Sequence, residues 1–317
     1  MENIRYNHVI SRKREGAHYT PKNLSRFVSK QILNYQTINN SLTILDPAIG
    51  DGELIVRLLE CLPKNNHELL IYGFDINEDS LKIAKYRILQ SRPSIKIKLF
   101  QQDFLDTILK TNSLFNHADL PTFDIIISNP PYIRTQILGS DKAQEISKNF
   151  GLKGRVDIYQ AFLLAIHNVL KSNGVAGVIV SNRFLTIKGA SKLRSRLLDL
   201  YDIKHIWDFG DTKLFEASVL PAVIIMSPRL NQATRKTKFT SIYQTTDIKD
   251  IKDINKEDNI FPALEGSASL IRVDDKVFKI KNGFLCYEKC SSESWFIQNS
   301  ENKHWLKIVK ENTWALF

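Results

Sequence analysis

"SLTILDPAIGDGELIVRLLECL", residues 41–62, carries in miniature the plan of the first two-thirds of the chain. "SLTILDP" (41–47) reads as a short buried strand, "DPAIGDGE" as a loop, and "ELIVRLLECL" has the apolar spacing of an amphipathic helix. Gly50 and Gly52 permit close backbone approach at the start of that helix, where free N–H groups attract a ligand. The loop lacks the three glycines of the dinucleotide pattern G-x-G-x-x-G, so it suits something smaller than a pyrophosphate.

The same unit repeats outward. "LLIYGFDI" (69–76) is a second strand, and "NEDSLKIAKYRIL" after it is a helix that Asn77 or Asp79 can cap. "IKIKLFQQD" (95–103) is a third strand and "FDIIISN" (123–129) a fourth. "IYQAFLLAIHNVLKSNG" predicts a helix ending at Gly174, and "VAGVIVSNRF" a fifth strand. "IKHIWDF" (203–209) and "VLPAVIIMS" (219–227) pair as a hairpin through the Gly210–Asp211 region. Strands alternating with helices of this length mean βαβ units and a mainly parallel sheet. Ligands bind such sheets beyond the strand carboxyl ends. After Pro228, "NQATRKTKFT" and "TTDIKDIKDINKED" read as a polar linker. "LIRVDDKVFKI", "GFLCYEKC", "SWFIQ" and "HWLKIV" follow as short aromatic strands. The expected organisation is a catalytic domain over 1–228 and a smaller region over 229–317.

Composition narrows the class. With 43% hydrophobic and 25% charged residues, the chain has an ordinary globular make-up. It shows no run of about 18 apolar residues for a membrane span. The opening "MENIRYNHVISRKREG" has no apolar signal-peptide core, so the cytoplasm is the expected compartment and no membrane partner is expected. Cys61, Cys286 and Cys290 form neither a disulfide framework nor a four-ligand metal set. The net charge of +10, with a pI near 9.3, favours a polyanionic partner.

Candidate site residues fall at the strand ends. Asp46, Asp75 and Asp103 close three successive strands on one rim. Each alone suits a helix cap; together they form a constellation. Asp75 is placed to accept both hydroxyls of a ribose. Asp103 can accept from an adenine amine, with Ile76 and Phe104 on the two faces of the ring. The fourth strand ends in "SNPPYIR", where the Asn129 amide oxygen and the Pro130 carbonyl are two acceptors on a turn stiffened by Pro130 and Pro131. The Tyr132 ring offers a face for stacking. Two acceptors on the hydrogens of a planar amine draw its nitrogen toward tetrahedral geometry and free the lone pair. Beside a methyl sulfonium, positioning and electrostatics then suffice, without a metal or a strong base.

"DPAIGDG", "GFDI", "QQDF" and "SNPPY", in that order, resemble motifs I to IV of the γ-class N6-adenine DNA methyltransferases. "GAHYTPKNLSRFVSKQI" (16–32) resembles their motif X and "DTKLFEASVLPAVIIM" (211–226) their motif VIII, so the likeness covers about residues 12 to 228. The resemblance implies a Rossmann-like α/β fold with a mainly parallel seven-stranded sheet, a C-terminal β-hairpin and a small appendage. It implies S-adenosylmethionine as methyl donor, with no metal. Tyr19, Thr20, Asp46, Ala48, Gly50 and Gly52 would surround the methionine moiety, Asp75 and Ile76 the ribose and ring, and Asp103 and Phe104 the adenine. Asn129, Pro130, Pro131 and Tyr132 would hold the target base, with Phe215 on its edge. The implied substrate is an adenine flipped out of duplex DNA, in a bacterial or archaeal restriction–modification system.

Other readings share this turn: a protein-glutamine N5 methyltransferase, an RNA adenine methyltransferase, or a silent DNA-binding subunit. Members of the resembled class follow the catalytic domain with a sizeable recognition domain. Residues 229–317 are expected to be a linker and a partial or reduced recognition region, so the expectation is a truncated chain or a separate recognition partner, beside a cognate endonuclease.

Overall fold

All six residues of strand β4 (Phe123–Ser128) are buried, as a strand covered on both faces must be. In the computed structural model, the described residues are 20–63, 68–111, 120–153, 156–212, 214, 220–230, 236–246, 257–266, 268–287, 290 and 292–298. Tyr19, Phe215 and the "HWLKIV" segment lie outside them.

The strands besides β4 are β1 (Ser41–Asp46), β2 (Glu68–Asp75), β3 (Lys96–Gln101), β5 (Leu170–Ser181), β6 (Tyr201–Asp208) and β7 (Pro221–Pro228), then β8 (Lys238–Gln244), β9 (Leu270–Val273), β10 (Lys276–Cys286) and β11 (Phe296–Gln298). One sheet joins them in the order β11-β10-β8-β6-β7-β5-β4-β1-β2-β3, with β9 paired to β10. Strands β3, β2, β1, β4 and β5 are mutually parallel, and β7 runs antiparallel to both β5 and β6. The β6–β7 pair is the expected hairpin. The helices are α1 (Lys22–Leu33), α2 (Glu53–Cys61), α3 (Glu78–Ser91), α4 (Phe104–Thr111), α5 (Ser140–Phe150), α6 (Ile158–Ala165), α7 (Ser191–Leu200) and the short α8 (Phe261–Glu265). Neighbouring strand residues serve opposite faces, as the two-residue period requires. Ile44 and Ile125 join Leu24 and Leu58 in one core layer, while Leu45 and Ile126 join Phe162 and Leu193 in the other. No described helix is long and apolar enough to cross a membrane.

Two expectations are corrected. The helix predicted through Gly174 stops at Ala165; a 3-10 turn (Ile166–Val169) follows and β5 begins at Leu170. Leu170 pairs with Phe123 and Val175 with Ile125, so residues 171–174 bulge opposite Asp124 alone. The second correction lies past residue 228, where the sheet continues. Lys238–Thr240, read as linker, begin β8, which runs parallel to β6. Polar residues serve as cross-strand pairs there: Thr240 Oγ1 meets His205 Nε2 at 2.9 Å and donates to Asn282 Oδ1 at 2.7 Å. Trp295, 1% exposed, packs its ring on Phe184, and its backbone N–H donates to the Leu185 carbonyl at 2.7 Å. The C-terminal segment is thereby bound to the loop after β5.

The bulge in β5 is anchored by charge. Asp124 accepts from Thr43 N, Thr43 Oγ1 and Lys171 Nζ, each at 2.8 Å. Burial opposes the charge, yet the Lys171 ammonium and the Thr43 donors prevail and hold the carboxyl below its usual range. A depressed pKa means the stabilisation is present above the unfolded value near 4 and is lost as pH falls through the folded one. Asp124→Ala is expected to reduce stability by about 2 kcal/mol at pH 7 and by much less near pH 3, in paired urea titrations.

Candidate active site

Four adjacent parallel strands, in the order β3-β2-β1-β4, deliver their carboxyl ends to one rim. A cavity of about 200 Å³ opens there. Of the expected residues, Thr20, Ala48, Gly50, Asp75, Ile76, Asp103, Phe104, Asn129, Pro130, Pro131 and Tyr132 line it. Asp46 and Gly52 do not: Asp46 is fully buried behind the wall, and Gly52 turns the chain into α2.

The loop between β1 and α2 follows a left-handed path at Gly50 (φ 53°) and Gly52 (φ 79°), which favours glycine at both positions. A Cβ on Gly52 would lie 3.1 Å from the Ala84 Cα of α3, so the loop packs tightly on that helix. Within the loop Ala48 N donates to Asp46 Oδ1 at 3.0 Å, and Gly50 N donates across to Asp75 Oδ2 at 2.9 Å. The other Asp75 oxygen accepts from Asn77 N at 2.8 Å. Asn77 itself caps α3 through Ser80 N.

Asp46 is the most perturbed acid of the site. Burial pushes its carboxyl up to about 8, against donation from Ala48 N and the nearby Ser128, and with the Asp75 and Asp51 charges adding to the rise. Its Oδ2 has no hydrogen-bond partner of regular geometry among the described residues. A buried acid with a spare oxygen fits a ligand bearing a cationic group. Asp103 is raised too, by burial and then by Asp106, while its Oδ1 accepts from Leu105 N at 2.7 Å. Ile76 stands 67% exposed at the rim; Phe104 is 1% exposed, with Phe74 and Phe162 rings at 5.5 and 5.8 Å.

At the end of β4 the Asn129 amide is held from both sides. Its Nδ2 donates to Thr20 Oγ1 at 3.0 Å, and the Tyr132 hydroxyl donates to its Oδ1 at 2.6 Å. Burial pushes the Tyr132 phenol well above its ordinary range, so it remains a donor. The ring meets Tyr159 edge-on at 6.2 Å. Sequence reasoning missed several lining residues: Asp51 and Glu53 in the first loop, Gln102 beside Asp103, and Ile158 with Phe162, one turn apart on α6. The last pair gave no signal, because α6 is buried on every side and no face of it stands out.

Sheet order and strand-end cavity define a class I S-adenosylmethionine-dependent methyltransferase fold. A candidate enzyme of that class from Listeria monocytogenes superposes with a TM-score of 0.55 at 18% identity, covering 68% of this chain and 62% of that one. The methyltransferase subunit of a type I restriction–modification system from Streptococcus thermophilus gives 0.58 at 20% identity, over 71% and 47% of the two chains. Sequence likeness is more particular. Residues 70–215 match the Eco57I restriction-modification methylase family. The type II methyltransferase M.BanIII of Aneurinibacillus aneurinilyticus is 37% identical over 97% of this chain and 55% of its own length. M.BstVI of Geobacillus stearothermophilus is 24% identical over 86% and 50%. These likenesses lie with the restriction–modification methylases, and the chain spans about half the length of these curated relatives.

Proposed function

We propose that the chain is the catalytic part of a DNA methyltransferase that moves a methyl group from S-adenosylmethionine to the N6 amine of a flipped adenine. The observation that carries this reading is one cavity that joins the Asn129–Tyr132 turn to the aspartates of the neighbouring strand ends. Thr20, Ala48 and Gly50 would meet the methionine end, with Asp46 acting through its charge on the ammonium from just behind the wall. Asp75 and Ile76 would meet the ribose and ring, and Asp103 and Phe104 the adenine. When bound, S-adenosylmethionine supplies an electrophilic methyl group on a sulfonium. The chain's part is orientation: Asn129 Oδ1 and the Pro130 carbonyl accept the two hydrogens of the target amine, and Thr20 and Tyr132 keep the Asn129 amide from turning.

A base stacked in a duplex cannot reach this cavity, so the reading includes flipping, at a cost of a few kcal/mol. Phosphate contacts from a chain of net charge +10 offset that cost. The proposed partners are duplex DNA, a cognate endonuclease and a recognition domain on this protein or another. The test is a three-way competition, with labelled S-adenosylmethionine offered genomic duplex DNA, total RNA and release-factor protein. Label in DNA supports the reading; label only in RNA or protein overturns it.

A further inference from the structure

Helix α3 carries Arg87, a residue outside every motif above, and its guanidinium reaches into the loop between β1 and α2. Its Nη1 donates to the Asp51 backbone carbonyl at 2.9 Å and pairs with Asp51 Oδ2 at 2.7 Å, while Nη2 pairs with Glu53 Oε2. All three side chains are largely withdrawn from solvent: Arg87 is 20% exposed, Asp51 9% and Glu53 6%. Ala84, one turn earlier on α3, supports Gly52 from below. From the other side Gly50 N is tied to Asp75. The left-handed segment Gly50–Gly52 is thus gripped at its middle by one cation on a neighbouring helix.

We infer that Arg87 is the positioning residue of this loop: it neutralises Asp51, shares Glu53 with Arg57, and fixes the backbone from Ala48 to Gly50 that lines the cavity for the methyl donor. The inference rests on the cofactor half of the proposed function. Without the guanidinium, Asp51 would be a buried charge lacking this partner and Glu53 would keep Arg57, 2.9 Å from its Oε1, a costly state for Asp51 that the loop relieves by opening. The Asp51 charge also acts on Asp46. Loss of Arg87 therefore alters the proton bookkeeping of the site as well as its shape.

The experiment measures S-adenosylmethionine affinity by calorimetry between pH 6 and 8 for the wild type, Arg87→Gln, Arg87→Lys and the double variant Arg87→Gln with Asp51→Asn. Circular dichroism checks that each is folded. Arg87→Gln is expected to bind about tenfold more weakly. The pH at which its affinity levels off moves upward. Neutralising Asp51 as well returns most of the affinity, a rescue that a merely structural defect would not show. Arg87→Lys, which keeps the charge and loses the fork, falls between wild type and Arg87→Gln. Wild-type affinity in Arg87→Gln, or no recovery in the double variant, overturns the inference. Failure of the wild type to bind the methyl donor counts instead against the proposed function.

Discussion

Asn129→Ala is expected to lower methyl transfer to DNA by about 10³-fold while leaving S-adenosylmethionine affinity within about threefold. The asymmetry follows from where the amide stands. Its Oδ1 is one of the two acceptors proposed for the target amine, and its contacts are Thr20 and Tyr132, not the glycine loop or Asp75. Removing the side chain takes away an interaction that strengthens as the nitrogen becomes tetrahedral. That is a transition-state effect, visible in kcat. Fold stability should fall by only about 1 kcal/mol, since both lost partners lie at the cavity and can turn to water. Single-turnover rates with Kd measured in parallel separate the two quantities. A variant that loses cofactor affinity as steeply as rate would mean that Asn129 builds the pocket and does no more.

The second large effect concerns pH. An Asp46 carboxyl pushed up to about 8 is mostly protonated at neutral pH. The folded chain then holds a proton that the unfolded chain has released. Between the unfolded value near 4 and about 8 the unliganded fold therefore loses stability as pH rises, by at most about 1.4 kcal/mol per unit. A cationic ligand group beside Asp46 reverses the preference, so binding expels the proton. S-adenosylmethionine affinity is expected to rise about tenfold per unit from pH 6 to 7.5, with proton release detected calorimetrically in two buffers of different ionisation enthalpy. Asp46→Asn should flatten the profile and weaken binding at the upper end. A flat profile in the wild type would show that Asp46 meets no charge in the complex.

These expectations were open to sequence reasoning to different degrees. The first four strands and their terminal residues were legible because each apolar or alternating run is followed at once by Asp or Asn and a helix or turn signal. The choice of Asn77 as cap of α3 followed from the same logic. The stretch before Gly174 was not legible: "IYQAFLLAIHNVLKSNG" keeps a helical pattern to its end, and only the pairing of Leu170 with Phe123 makes its last part strand. β8 was hidden because Thr240 contributes to a buried polar network that looks like linker in a linear reading. Within the site, the strand-end aspartates were visible as a set. The grip of Arg87 on Asp51 was not, since a contact across 36 residues leaves no local signature. Nor does the sequence reveal that Thr20 and Tyr132 hold opposite ends of the Asn129 amide.

Identifying the modified nucleoside is the decisive measurement for adenine methylation. Duplex DNA incubated with the wild-type chain and S-adenosylmethionine is digested to nucleosides and read by mass spectrometry, with Asn129→Ala alongside. The expected product is N6-methyldeoxyadenosine, which disappears in the variant. A methylated cytosine in its place, or N6-methyldeoxyadenosine that persists without Asn129, would contradict the proposed function.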